Sequence, residues 1–287
     1  MTKEELKTRY AVSNIFKNQD KLLKENNNFI TAVDGKDLFI PYEINYNEEK
    51  VTRFDRMVSN AIGSLCQDKG LMVGLERNQK SVDLLLSAVV KEVYNLQGNK
   101  RPTREQTEAV EKSITRLNHI DLKMKFEPIT EQDKGKTLKA SLKSTLIKSS
   151  FIKLKAGGHE VDGIRVYELP ALYLYSYKYK AIETVEKRYI TTKQQINTTR
   201  ALIDDVLRYS IIEIKQQKRK GINTLDHSRV YDNIFKSAGV EVNNSVVRSK
   251  HVKYILARCE EFKVNGWIKG YKNIKRGNKD YKVIFYI

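Results

Sequence analysis

Apolar residues recur along this chain at two periods, and the change from one to the other marks its elements. From about residue 52 to 68, Phe54, Met57, Val58, Ala61, Ile62 and Leu65 fall at i, i+3, i+4, i+7, i+8 and i+11. That is one stripe of a helix, which Gly70 stops. A second helix is predicted from Ser81, a good N-cap, burying Leu85, Val89, Val90 and Val93. A third begins at Thr103, where PTREQ offers a capping box with Gln106 three residues on; Val110, Ile114 and Leu117 form its narrow stripe. The period then drops to two. DLKMKF alternates Leu122, Met124 and Phe126 as a strand does, Gly135 interrupts, and two more strand-like runs, about 142–154 and 161–167, meet at Gly157-Gly158.

The stretch LPALYLYSYKYKAI, residues 169–182, fits either period. Tyr173, Tyr175, Tyr177 and Tyr179 alternate, while Pro170 and the stripe Leu172, Tyr175, Tyr179, Ile182 suit a helix. A short helix joining two halves is the expectation. The first order then returns. A long helix is predicted over 194–218 with Leu202, Val206, Tyr209 and Ile212 or Ile214 inward. GINTL allows a short strand. Asp226 caps a helix burying Val230, Ile234 and Phe235 that closes near Gly239. A third helix starts near Ser249 with Val252, Ile255, Leu256, Cys259 and Phe262 as its stripe, and strands over 266–272 and 281–286 flank a basic turn. Residues 1–45 show little periodicity, and KENNNF, 24–29, reads as a loop. The order helix, helix, helix, hairpin therefore occurs twice. It predicts an α+β protein of two tandem winged-helix domains, 46–168 and 193–287, with an N-terminal arm over 1–45 and a connector over 169–192.

Charge adds a direction to this picture. The 287 residues carry 53 Lys and Arg against 35 Asp and Glu, a net +18. Residues 1–128 hold 21 basic and 19 acidic side chains, 129–192 hold 12 and 7, and 193–287 hold 20 and 9. The excess sits in the last third, which predicts a polyanion partner for the second domain. No run of about 18 apolar residues suggests a membrane span and Met1–Tyr10 has no signal-peptide core, so a cytoplasmic protein is expected. The two cysteines, Cys66 and Cys259, read as reduced core thiols, and with four scattered histidines they make no zinc site.

Placed on a helical wheel, the last helix turns Lys250, Lys253, Tyr254, Ala257 and Glu261 away from its apolar stripe, with Arg248, His251 and Arg258 at the margins. A major groove accepts an α-helix, so Lys and Arg here could hold phosphates or guanine edges, and Tyr254 could pack on a sugar or a thymine methyl. In the terminal hairpin, Gly277-Asn278 suits a tight turn that projects Lys275, Arg276 and Lys279. Such a tip grips phosphates or a narrow minor groove. Charged turns also protect strand edges, and both roles fit. The first block's third helix shows Arg104, Glu105, Glu108, Glu111, Lys112 and Arg116, nearly balanced; a dimer contact and a weak DNA contact are both open. Lys134, Lys136 and Lys139 in its wing favour some backbone contact.

Catalytic signatures fail on spacing. Gly135-Lys136-Thr137 ends like a phosphate loop, but Thr130 stands where that loop needs glycine. No pair of histidines flanks a single apolar residue, and His251 is followed three residues on by Tyr254 rather than arginine. Asp204-Asp205 reads as a solvated helix face. No enzyme and no cofactor are expected.

Two winged-helix blocks, the second more basic, resemble the theta-type plasmid replication initiators, and more narrowly the initiator-like proteins of mobile elements in low-GC Gram-positive bacteria. The stretches that carry the likeness are FDRMVSNAIGSL (54–65), TREQTEAVEKSITRL (103–117), VLRYSIIEIKQQK (206–218) and KYILARCEEFKVNGWIKGYK (253–272). The resemblance implies binding to repeated duplex sites at an origin, followed by recruitment of host helicase and polymerase. It places the DNA contacts on each block's third helix and wing, here Lys250, Lys253, Tyr254, Arg276 and Lys279. The near-neutral first recognition helix departs from the family pattern, which leaves a homodimer contact open for that block. A winged-helix repressor and a nickase or recombinase with a tyrosine nucleophile are the rival readings.

Overall fold

The computed structural model describes residues 7–11, 29–31, 42–45, 51–69, 81–125, 129–130, 137–138, 141–171, 173, 182–221 and 227–287. They group into two compact units. One comprises Ala11–Val89 and Val110–Ile182; the other comprises Met1–Tyr10, Val90–Ala109 and Glu183–Ile287.

Three short strands precede the first helix: β1 (Lys7–Ala11), β2 (Phe29–Thr31) and β3 (Tyr42–Asn45). They lie in the arm whose sequence showed no period. Helix α1 (Arg53–Asp68) starts on a full capping box, with the Thr52 side chain accepting from the Asp55 amide and Asp55 accepting from the Thr52 amide. Asp55 is also buried, where it accepts from Ser113 Oγ at 2.7 Å and from Arg116 at 2.8 Å. The cap thus ties α1 to α3 (Arg104–His119). That helix carries the expected box, with the Thr103 amide donating to Gln106 Oε1 at 2.9 Å and the Gln106 amide to Thr103 Oγ1 at 3.2 Å.

The segment after Ser81 corrects the sequence reading. Instead of a helix, Val82–Leu85 forms strand β4, and helix α2 (Leu86–Val93) begins only after it. Val82 and Leu84 are buried while Leu85 is exposed, the period of a strand. An apolar run this short fits both periods, and pairing decided the outcome. The partner is the hairpin β9 (Ser149–Ala156) and β10 (His159–Val166), which turns at Gly157 and Gly158, both with positive φ. The sheet order is β4-β10-β9. The predicted strand over 142–154 is in fact two strands in two sheets. Its first part is β8 (Ser141–Thr145), which pairs with β5 (Asp121–Lys125) in a sheet ordered β2-β3-β5-β8. The small pair β6 (Ile129–Thr130) and β7 (Thr137–Leu138) completes this region. Of the connector's predicted helix, Ala171 and Tyr173 are helical, and residues 172 and 174–181 lie outside the described residues. Tyr173 is fully buried with its ring across Gly63, and its hydroxyl donates to Gln67 at 2.8 Å.

The other unit repeats the order. β11 (Ile182–Glu186) pairs with β1 and leads into the single turn α4 (Lys187–Ile190). Helix α5 (Thr198–Arg219) is followed by β12 (Ser228–Val230), α6 (Tyr231–Ala238), α7 (Ser245–Val264) and the hairpin β13 (Gly270–Arg276) and β14 (Lys279–Tyr286). The sheet order is β12-β14-β13, so in both places a strand between the first two helices pairs with the last strand of the hairpin. Val230, expected in a helix, ends β12; the expected cap Asp226 and most of GINTL lie outside the described residues.

Between α4 and α5 the chain is irregular, and side chains satisfy its carbonyls. Asn95 donates to Ile190 O at 2.5 Å and Gln106 to Ile196 O at 2.7 Å. Arg258 donates to Ile190 O at 2.9 Å and Thr191 O at 3.2 Å, and Asn265 to Thr191 O at 3.3 Å. This strap covers a second side of α7. No helix among the described residues is long and apolar enough to cross a membrane. Both cysteines are buried and free.

Candidate nucleic-acid interface

The helix α7 begins four residues earlier than its stripe suggests, on the Asn244 cap, whose side chain accepts from the Val247 amide at 2.8 Å. Val252, Ile255, Cys259 and Phe262 point into the core. The opposite face shows Val246, Ser249, Lys250 and Lys253, all exposed, at i, i+3, i+4 and i+7. No acidic residue lies in the first turn.

The terminal hairpin runs back beside this helix, and one network fixes it there. Arg248 donates to Asp232 Oδ1 at 2.9 Å on α6 and to Asp280 O at 2.9 Å on β14. Asn273 donates to Asp280 Oδ1 at 2.7 Å and accepts from the Tyr231 hydroxyl at 2.9 Å. Asp280 neighbours the tip, so this tie holds the base of the basic turn to Arg248 in the first turn of α7. Arg276 pairs with Lys279 across a two-residue loop whose Gly277 has φ 60°, where a tight hairpin turn needs glycine. The register shifts between Ile274 and Lys275, leaving Tyr281 as the extra residue of a bulge. Its ring lies 5.9 Å from the Arg276 guanidinium. Lys250, Lys253, Lys275, Arg276 and Lys279 are exposed, and among the described residues none has a carboxylate partner.

Several predicted contacts take other roles. Arg258 is fully buried: it donates to Asp204 Oδ1 at 2.7 Å, pairs with Glu261 and stacks on Phe262 at 4.5 Å. Tyr254 is buried beneath Arg200, 5.1 Å away, and burial pushes its phenol far up. Neither side chain reaches a surface ligand. The wheel displayed them because it allowed α7 only one covered side. Asp204 and Asp205, read as a solvated face, are buried as well. Arg248 is occupied as an anchor, about 140–160° around the helix from Lys253 and Lys250. His251 is half-buried against Phe235, and burial, then Arg200, holds its imidazole below the ordinary range.

The first helix–hairpin set differs in charge. Arg104 is exposed but bonds Glu108 at 2.6 Å, and Glu105 and Glu108 are displayed beside Lys112. On its hairpin, Lys153 bonds Asp162 at 2.5 Å and Arg165 bonds Asp83 at 2.7 Å. The hairpin is Ser149–Val166, not the segment holding Lys134, Lys136 and Lys139, which lie outside the described residues. Sequence reasoning missed Val246 and Ser249 as displayed residues because it started the helix too late. The signal was present in Asn244, an equally good cap.

No protein-family model matches the chain, and no curated protein matches it. Two crystal structures of domains 2 and 3 of RctB, one a selenomethionine derivative, align with 92% of this chain at 11% identity and TM-score 0.42, covering 93% and 94% of their own chains. A likeness this distant assigns nothing to this chain.

Proposed function

We propose that this protein binds specific sequences in duplex DNA through tandem winged-helix domains, 46–168 and 193–287, and initiates replication of a plasmid or other mobile element. The carrying observation is the pairing of an unmatched cationic helix start with an unmatched cationic hairpin tip at one end of the second helix–hairpin set. The N-terminal half of α7 enters a major groove, with Lys250 and Lys253 on phosphates or guanine edges. Arg276, steadied on Tyr281, and Lys279 take the adjoining backbone or minor groove. The matched charges of the first set suit self-association or a lighter DNA contact. The connector over 169–192 joins the two. The protein performs no chemistry of its own and needs no cofactor.

The initiator role rests on the family resemblance of the sequence, which also supplies the partners: repeated origin sites and host replication proteins. Footprinting on DNA flanking the gene tests it. Direct repeats under the footprint, together with replication of an origin plasmid in cells supplied with the protein, are the expected result. A single palindrome and no replication assign repression instead. Covalent protein–DNA adducts on supercoiled DNA with Mg²⁺ assign a nickase.

A further inference from the structure

Val246 is 62% exposed in the first turn of α7, where a polar residue is free to stand. A lone exposed valine is ordinary on a protein surface. This one shares its face with Ser249, Lys250 and Lys253 and precedes them, at the end of the helix where groove readers touch base edges. Val264, 76% exposed, follows the same face at the other end. It lies roughly 27 Å away along the axis, beyond a groove about 12 Å wide, with Glu260 between. The charge on this face therefore selects the N-terminal half, and the apolar residue it takes into the groove is Val246. In a major groove the apolar feature of a base edge is the C5-methyl of thymine.

We propose that Val246 is a specificity determinant that packs on a thymine methyl group in the major groove. The inference rests on the DNA-binding reading above and adds the base it reads. Ser249 and Lys250, a turn further on, hold the adjoining edge and phosphate.

The test is a uracil scan of the footprinted site, replacing each thymine singly by deoxyuridine and so removing only its methyl. At one or two positions, wild-type affinity is expected to fall about fourfold, the worth of one buried methyl. Val246→Ala should lose a similar factor on the thymine duplex and no more on uracil. Val246→Asn, which carries no methyl group, should behave likewise. Thermal melting confirms that both variants fold. A flat scan with wild-type protein, or equal uracil sensitivity in both variants, overturns the assignment while leaving DNA binding intact. A wild-type protein with no footprint overturns the DNA-binding reading itself and this inference with it.

Discussion

Replacing Arg258 by methionine removes a guanidinium that sequence alone offered to DNA and that the structure places in the core. Four oxygens lose a bond: Asp204 Oδ1, Ile190 O, Thr191 O and a Glu261 carboxylate oxygen, although Ile190 O keeps Asn95 and Thr191 O keeps Asn265 as donors. Glu261 is partly exposed and can rehydrate. The Asp204 side chain is 3% exposed and becomes an unpaired buried charge. Breaking such a pair costs about 3–5 kcal/mol, a large share of the roughly 5–15 kcal/mol of a whole domain. The single tryptophan, Trp267, is buried edge-on against Phe262 at 5.0 Å, and Phe262 lies beneath Arg258. Its fluorescence in a urea titration therefore reports this core. The midpoint should fall by the equivalent of that energy, and Arg258→Met with Asp204→Leu should recover most of the loss. A single variant within about 0.5 kcal/mol of wild type, as for an ordinary surface change, with weakened DNA binding would refute the structural role.

A Cβ at Gly63 would lie 2.4 Å from the Tyr173 ring, so Gly63→Ala should destabilise by about 1–3 kcal/mol in a denaturant melt. Burial pushes the Cys66 thiol up to about 12 and Cys259 further, so neither should react with a thiol reagent at pH 8 until denaturant opens the fold. Burial opposes ionisation of Glu261, yet bonds from Thr192, the Arg258 charge and the Lys193 amide hold its carboxyl below 4.5. It therefore contributes stability above about pH 4.5 that is lost as pH falls through its lower folded value, and Glu261→Gln should flatten that limb of a stability–pH curve.

The helices that hold the frame were legible where one side is buried. The α1 stripe, the Thr103–Gln106 box and the Val252–Phe262 stripe needed only local period and cap chemistry. The misreadings share a cause in distant chain. Val82–Leu85 became a strand because β10, some eighty residues on, supplies its partner. Tyr254, Arg258 and Asp204 are buried because α5, through Arg200 and Asp204, and the strap over 187–197 together cover a second side of α7. No window around those residues contains the strap. The hairpin tip was readable from Gly277 and its flanking cations, whereas the Arg248–Asp280 tie and the Tyr281 bulge require the fold.

The central claim is that the start of α7 and the hairpin tip hold one stretch of DNA. The direct measurement is filter binding to the footprinted duplex over a salt series, wild type against a variant with Lys250, Lys253, Arg276 and Lys279 all changed to alanine. With roughly 6–8 phosphates neutralised, log K should fall with log salt at a slope near −6, and the variant's slope should be shallower by about 0.9 for each of the four side chains that sits on a phosphate, at most about 3.6. A wild-type slope near zero, or one that the four substitutions leave unchanged, contradicts the account.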